Sequence, residues 1–163
     1  MKRNNIVKSA IALIMALVLT FALAACSGGE KKKEAEYKQQ VADISTEVQK
    51  VFTNFSNTLP TLDPEDENSL STIEGMIDEM ETSFEKYGKL TAPKKYEPVQ
   101  TLLNESTDMA LKGLGIIREE IKGFFGSEGT GDTAKLQEGT QLLMDAALKL
   151  QEAGEKGDEI DSK

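Results

Sequence analysis

Histidine and tryptophan are missing from the 163 residues, and cysteine occurs once, at position 26. That inventory excludes a disulfide, a Cys/His zinc site and a cysteine nucleophile in the folded body. The Glu-x-x-His pairs that hold two metals in ferritin-like bundles are excluded as well. A serine or threonine nucleophile has no imidazole to take its proton. Cations are also in deficit, with 19 Lys and Arg against 28 Asp and Glu and a formal net charge of -9. Nucleic-acid phosphates and anionic headgroups repel a body of that sign, so no nucleic-acid partner is expected. The length leaves room for one domain of ordinary size. Without disulfides, the domain relies on core packing, which suits long helices that bury apolar stripes.

What is present begins with a charged-then-apolar N-terminus. Lys2, Arg3 and Lys8 precede an almost wholly apolar run from Ile11 to Leu23, the order of a secretory signal. The run from Ser9 to Ala25, about 17 residues, is near the lower limit for crossing a bilayer. It closes on Leu23-Ala24-Ala25-Cys26. This tetrapeptide resembles the lipobox of bacterial lipoproteins, in which a leucine and two small residues precede the cysteine. The resemblance implies cleavage between Ala25 and Cys26 and a thioether-linked diacylglycerol on Cys26, so that residues 1–25 are a removed signal peptide. The competing reading is an uncleaved membrane anchor with a chance cysteine. Cleavage removes three cations and no acid, taking the net charge from -9 to -12. Two acyl chains suffice for stable anchoring. Residues 26–33 then read as the lipidated cysteine and a flexible tether, with Lys31, Lys32 and Lys33 either solvated or touching headgroups.

Apolar periodicity organises the remainder. Val41, Ile44, Val48, Val51, Phe55 and Leu59 fall on one helical stripe, which predicts helix 1 from about Glu34 to Asn57. Leu59-Pro60 and Asp63-Pro64 break it. Leu70, Ile73, Ile77, Met80, Phe84 and Tyr87 predict helix 2, capped by Asp63 with Pro64 or by a Ser71/Glu74 box, and ended by Gly88 in a left-handed cap. Helix 3 is expected from Pro93 to Gly126, carrying Tyr96, Val99, Leu103, Ala110, Leu114, Ile117, Ile121 and Phe124. Ser127 to Gly131 is a glycine-rich turn. Asp132 caps helix 4, whose stripe is Leu136, Leu143, Ala147 and Leu150, and the polar tail after Gly154 is expected to fray. The expected fold is all-α: an antiparallel up-down-up-down four-helix bundle over residues 34–156, packed like a coiled coil at shallow angles, with a frayed tail at 157–163.

Candidate chemistry is sparse. Asp63, Glu65, Glu67, Ser69 and Glu74 occupy positions 1, 3, 5, 7 and 12 of an EF-hand-like calcium loop. Asn68 stands where that loop needs glycine, and the segment reads equally as a helix start, so no metal is expected. The pairs Glu79 with Glu81 and Glu119 with Glu120 read as a solvated face rather than as an acid-base couple. Ser83 and Lys86 have Ser-x-x-Lys spacing, but inside helix 2 with no strand motif to build an oxyanion hole, and read as a coincidence. Met76, Met80, Met109 and Met144, with the aromatic residues, read as core rather than as a ligand pocket. Gly113 lies beside the helix 3 stripe, where its missing side chain leaves room for a close helix contact or for a ligand.

These features point to a lipoprotein of the bacterial cell envelope, held outside the cytoplasm by Cys26. Its helical domain is expected to work without catalysis or cofactor, through protein contacts as an adaptor or accessory subunit. The alternative is a module that binds a small apolar molecule or peptide between the helices. Lysine-rich, arginine-poor composition with a Gly/Ser tether points to a Gram-positive source.

Overall fold

The computed structural model describes residues 29–63, 66–125 and 130–163. Ala25, Cys26 and the signal segment lie outside these residues, as do Pro64 and Glu65. The described chain is all-helical. Four long helices follow one another: α1 (Gly29–Thr58), α2 (Glu67–Gly88), α3 (Glu97–Phe125) and α4 (Thr133–Asp161). Short 3-10 turns at Leu59–Thr61 and Lys94–Tyr96 follow α1 and precede α3.

Side-chain periodicity does what it should. Tyr37, Val41, Ile44, Val48, Phe52 and Phe55 of α1 are buried against Ile73, Ile77, Met80, Phe84 and Tyr87 of α2. Val99, Leu103, Ala110, Leu114, Ile117 and Ile121 of α3 join the same core, closed by Leu143, Ala146 and Ala153 of α4. Phe52 and Phe84 meet edge to face with ring centroids 6.0 Å apart, an arrangement favoured by the ring quadrupoles. Met76 and Met80 are buried, and Met109 and Met144 pack against the core. The contacts run in opposite registers along consecutive helices. Ser45 meets Tyr87 while Phe52 meets Phe84, and Ser106 meets Ala146 while Gly113 meets Gly139.

Helix ends depart from expectation in several places. Helix α1 starts at Gly29, so the expected flexible tether is helical from that residue on. Lys and Glu are good helix formers, and Lys32 pairs with Glu36 one turn on at 3.7 Å. The cap of α2 is Asp66, whose carboxylate accepts from the Asn68 N–H at 2.9 Å, and neither Asp63 nor Ser71. Ser71 instead donates to the Asn68 carbonyl. Gly88 does end α2, but through Lys89 in a right-handed conformation rather than a left-handed glycine. Helix α3 begins at Glu97, after the 3-10 turn that Pro93 introduces. Asp132 caps α4 as expected, accepting from the N–H groups of Ala134 and Lys135.

The largest correction concerns the C-terminus. Helix α4 continues through Gly154 to Asp161, so the frayed tail expected over 157–163 is helix for most of its length. Gly154 and Gly157 are buried and Ile160 packs on the core. These glycines therefore sit on a contacting face, where the packing of the helix outweighs their cost of about 1 kcal/mol each relative to alanine.

Helices α3 and α4 approach most closely. Their contact face is made of small residues, Ser106, Ala110 and Gly113 against Gly139, Ala146 and Ala147. Ser106 is fully buried and donates to the Ala146 carbonyl at 2.8 Å, so the polar group is satisfied where the backbones come near.

Candidate functional site

Three clusters gather the charged and polar groups that face between helices. The first lies between α1 and α2. Ser83 is buried, with its hydroxyl 2.8 Å from the Glu79 carbonyl and 3.1 Å from Glu47 Oε1. Lys86 Nζ donates to both oxygens of Glu47, at 2.5 and 2.6 Å. The Ser83/Lys86 pair thus meets a third residue that spacing alone does not reveal. Its chemistry is that of an ion pair: the hydrogen bonds from Lys86 hold the Glu47 carboxyl below the usual carboxylate range, against a smaller upward push from burial. Both oxygens of Glu47 are engaged by Lys86, and Ser83 shares one of them. Beside this cluster runs an open groove of about 1300 Å³, edged by Asp43, Glu47, Lys50, Asn54, Asp78 and Glu79.

The second cluster ties α3 to its neighbours. Arg118 places Nη1 2.7 Å from Asp78 and Nη2 2.7 Å from Glu81, and Lys122 lies 3.5 Å from Glu74. Glu81 is therefore an interhelix partner, and Glu79 supplies the carbonyl under Ser83. Glu120 departs further from the solvated face expected for it. It is only 8% exposed and accepts the Asp132 N–H at 2.6 Å, where an acid favours the start of α4, with Lys135 3.6 Å away. Glu119 stays on the surface, 3.4 Å from Lys122.

The third cluster fastens the C-terminus. Asp161 accepts from the Tyr96 hydroxyl and from Lys38 Nζ, and Lys95 lies 3.7 Å away and also 3.8 Å from Glu34. The Tyr37 ring packs at a tilt against Tyr96, centroids 5.7 Å apart, and its hydroxyl donates to Gln100, which in turn donates to the Tyr87 carbonyl. Burial and then the Asp161 carboxylate push the Tyr96 phenol up, so it stays protonated and donates. The polar composition of 157–163 predicts a fraying tail, yet Asp161 closes α4 in this network. No local pattern marks it, because its partners lie 65 and 123 residues away.

The calcium-loop residues are described only in part. Asp63 is exposed, Glu65 lies outside the described residues, Glu67 opens α2, Ser69 is buried in its first turn, and Glu74 pairs with Lys122. Among the described residues no group of three His, Cys, Asp or Glu side chains is placed to hold a metal. None of the described helices is long and apolar enough to cross a membrane.

Four helices around one core, without a metal cluster among the described residues, define an all-helical domain held by interhelix ion pairs. The chain belongs to the DUF7018 family, described as a domain of unknown function, whose model matches residues 31–160. The match begins in the first turn of α1 and ends one residue before Asp161, covering all four helices. No curated protein and no solved structure matches the chain.

Proposed function

We propose that this protein is a lipid-anchored bacterial envelope lipoprotein whose helical domain is a non-enzymatic interaction module. The observation that carries the anchor is the sequence Leu23-Ala24-Ala25-Cys26, placed after a charged-then-apolar leader and three residues before α1 begins. Such a domain would face outside the cytoplasm, tethered by two acyl chains. The opposed registers of consecutive helices support an up-down-up-down bundle.

Two features support contacts with a protein over catalysis. The Ser83, Lys86 and Glu47 groups are spent on each other, and the acids expected to be idle are partly committed to Arg118, Lys122 and α4. Contacts with a partner would be largely polar, since Leu148, at 49% exposed, is the one large apolar side chain standing out among the described residues. The ligand-binding alternative loses its sequence hint at Gly113, where the space is taken by the backbone of Gly139.

The test is Cys26→Ala in the native host. The unaltered protein should incorporate labelled fatty acid and lose residues 1–25, whereas the variant should do neither. Labelled lipid on the variant, or cleavage after Ala25 without it, would sink the anchor. Affinity capture from the native membrane with a crosslinker then identifies the partner. A bound small apolar molecule in the purified protein would favour the alternative.

A further inference from the structure

We propose that the bundle stands on its N-terminal end at an anionic lipid surface, with the opposite end, rich in acids, held outward. This inference rests on the lipid-anchor reading above. Gly29, the first residue of α1, is three residues from Cys26, a span of about 10 Å at full extension, so a lipid on Cys26 keeps this end of the domain at the headgroups. The contacts of Lys38 and Tyr96 with Asp161 and of Lys95 with Glu34 bring three stretches together at that end. They are residues 29–38, 87–97 and 154–163, which hold nine basic side chains against eight acidic.

The other end has a different balance. Residues 52–63, 66–78, 118–125 and 130–139 hold three basic side chains against nine acidic. Lys122 with Glu74 and Glu120 with Asp132 bring three of these stretches together, and α1 runs on into the fourth. The acidity of the mature chain is thus concentrated away from the anchor.

Screening decides what this does. Surface potential falls off within about 8–10 Å at physiological salt. A helix of 30 residues spans about 45 Å, so an upright bundle keeps the acid-rich end beyond the reach of the membrane field. A bundle lying flat brings that end within reach and is repelled. The anchored end is close to neutral: Lys31, Lys33 and Lys94 make no ion pair among the described residues, and neither do Glu30, Glu97 and Asp158. It meets the surface without the same penalty. Repulsion at the far end, more than attraction at the near one, sets the orientation.

The full-length protein, extracted from its host membrane, is tested with single labelling sites at the exposed positions Thr91→Cys and Gln137→Cys. Its mass and the reactivity of Cys26 report whether the anchor is present, since a lipidated thiol does not take the dye. Each labelled protein is placed in vesicles of phosphatidylcholine, or of phosphatidylcholine with 30% phosphatidylglycerol, carrying a headgroup acceptor. In the anionic vesicles, energy transfer from position 91 should exceed that from position 137 at least threefold, and the ratio should shrink in the neutral ones. Adding Glu119→Gln and Glu138→Gln should raise transfer from position 137 in anionic vesicles. Equal transfer from both positions, or a ratio that ignores phosphatidylglycerol, overturns the orientation while a lipidated Cys26 leaves the anchor standing. A free Cys26 thiol overturns the anchor, and the orientation with it.

Discussion

Gly113 and Gly139 face each other across α3 and α4 so closely that a Cβ on Gly113 would lie 2.7 Å from the Gly139 carbonyl oxygen, and one on Gly139 would lie 2.9 Å from the Gly113 carbonyl oxygen. Both obstacles are backbone atoms, which cannot swing aside. Two glycines that cost helix propensity are thus what lets two long helices touch.

Gly113→Ala should therefore destabilise the domain by about 1–3 kcal/mol, because volume added to a packed contact forces the backbones apart. Gly115, two residues on, meets nothing within 4 Å. Gly115→Ala should stabilise by roughly 0.4–1 kcal/mol, mainly by restricting the unfolded chain. Thermal unfolding of the two variants checks this. Stabilisation by both changes would remove the close α3–α4 contact at Gly113.

Asp161 makes stability depend on pH. Burial alone would raise its carboxyl, but the hydrogen bonds from Lys38 and Tyr96 bring it below the usual carboxylate range. A carboxyl depressed in the folded state stabilises above its unfolded value, about 3.9, and that contribution disappears as pH falls through the folded value. The melting temperature should accordingly drop as pH is lowered below about 4. Glu159, lowered to about 2 by Lys156 and Lys163, acts in the same direction. Asp161→Asn should lower the melting temperature at pH 7 by about 3–5 °C, an effect of about 1 kcal/mol after allowance for partial exposure, and should flatten the acid slope. An unchanged slope would show that the C-terminal latch does not form in solution.

Ser56 Oγ is buried on α1 with no hydrogen-bond partner. A buried hydroxyl left unsatisfied costs about 1–3 kcal/mol. Ser56→Ala removes that cost and improves helix propensity, so chemical denaturation should show a gain of about 1 kcal/mol. A loss instead would reveal a partner, such as an ordered water, holding the hydroxyl.

Millimolar calcium, or its removal with a chelator, should leave the melting temperature unchanged. Of the candidate ligands, Ser69 is buried and Glu74 is engaged by Lys122. A ligand that favours the native state stabilises it by mass action, so a rise of several degrees would contradict the helix-start reading of Asp63 to Glu74.

The sequence by itself determined the four helices, their buried stripes and the Asp132 cap, because each depends on residues within a turn or two of one another. Val41, Ile44 and Val48, or Leu103, Ala110 and Leu114, name a buried face whatever partner covers it. The tertiary structure decided which faces met and in what register. Spacing put Ser83 and Lys86 on one face of α2, but only the approach of α1 brought Glu47 to both of them. Polarity marked Asp161 for solvent until Lys38 and Tyr96, distant in the chain, enclosed it. The polar tail after Gly154 predicts fraying, yet Gly154 and Gly157 are both buried in α4. On the buried face of α4 they continue the helix, because tertiary packing outweighs local propensity.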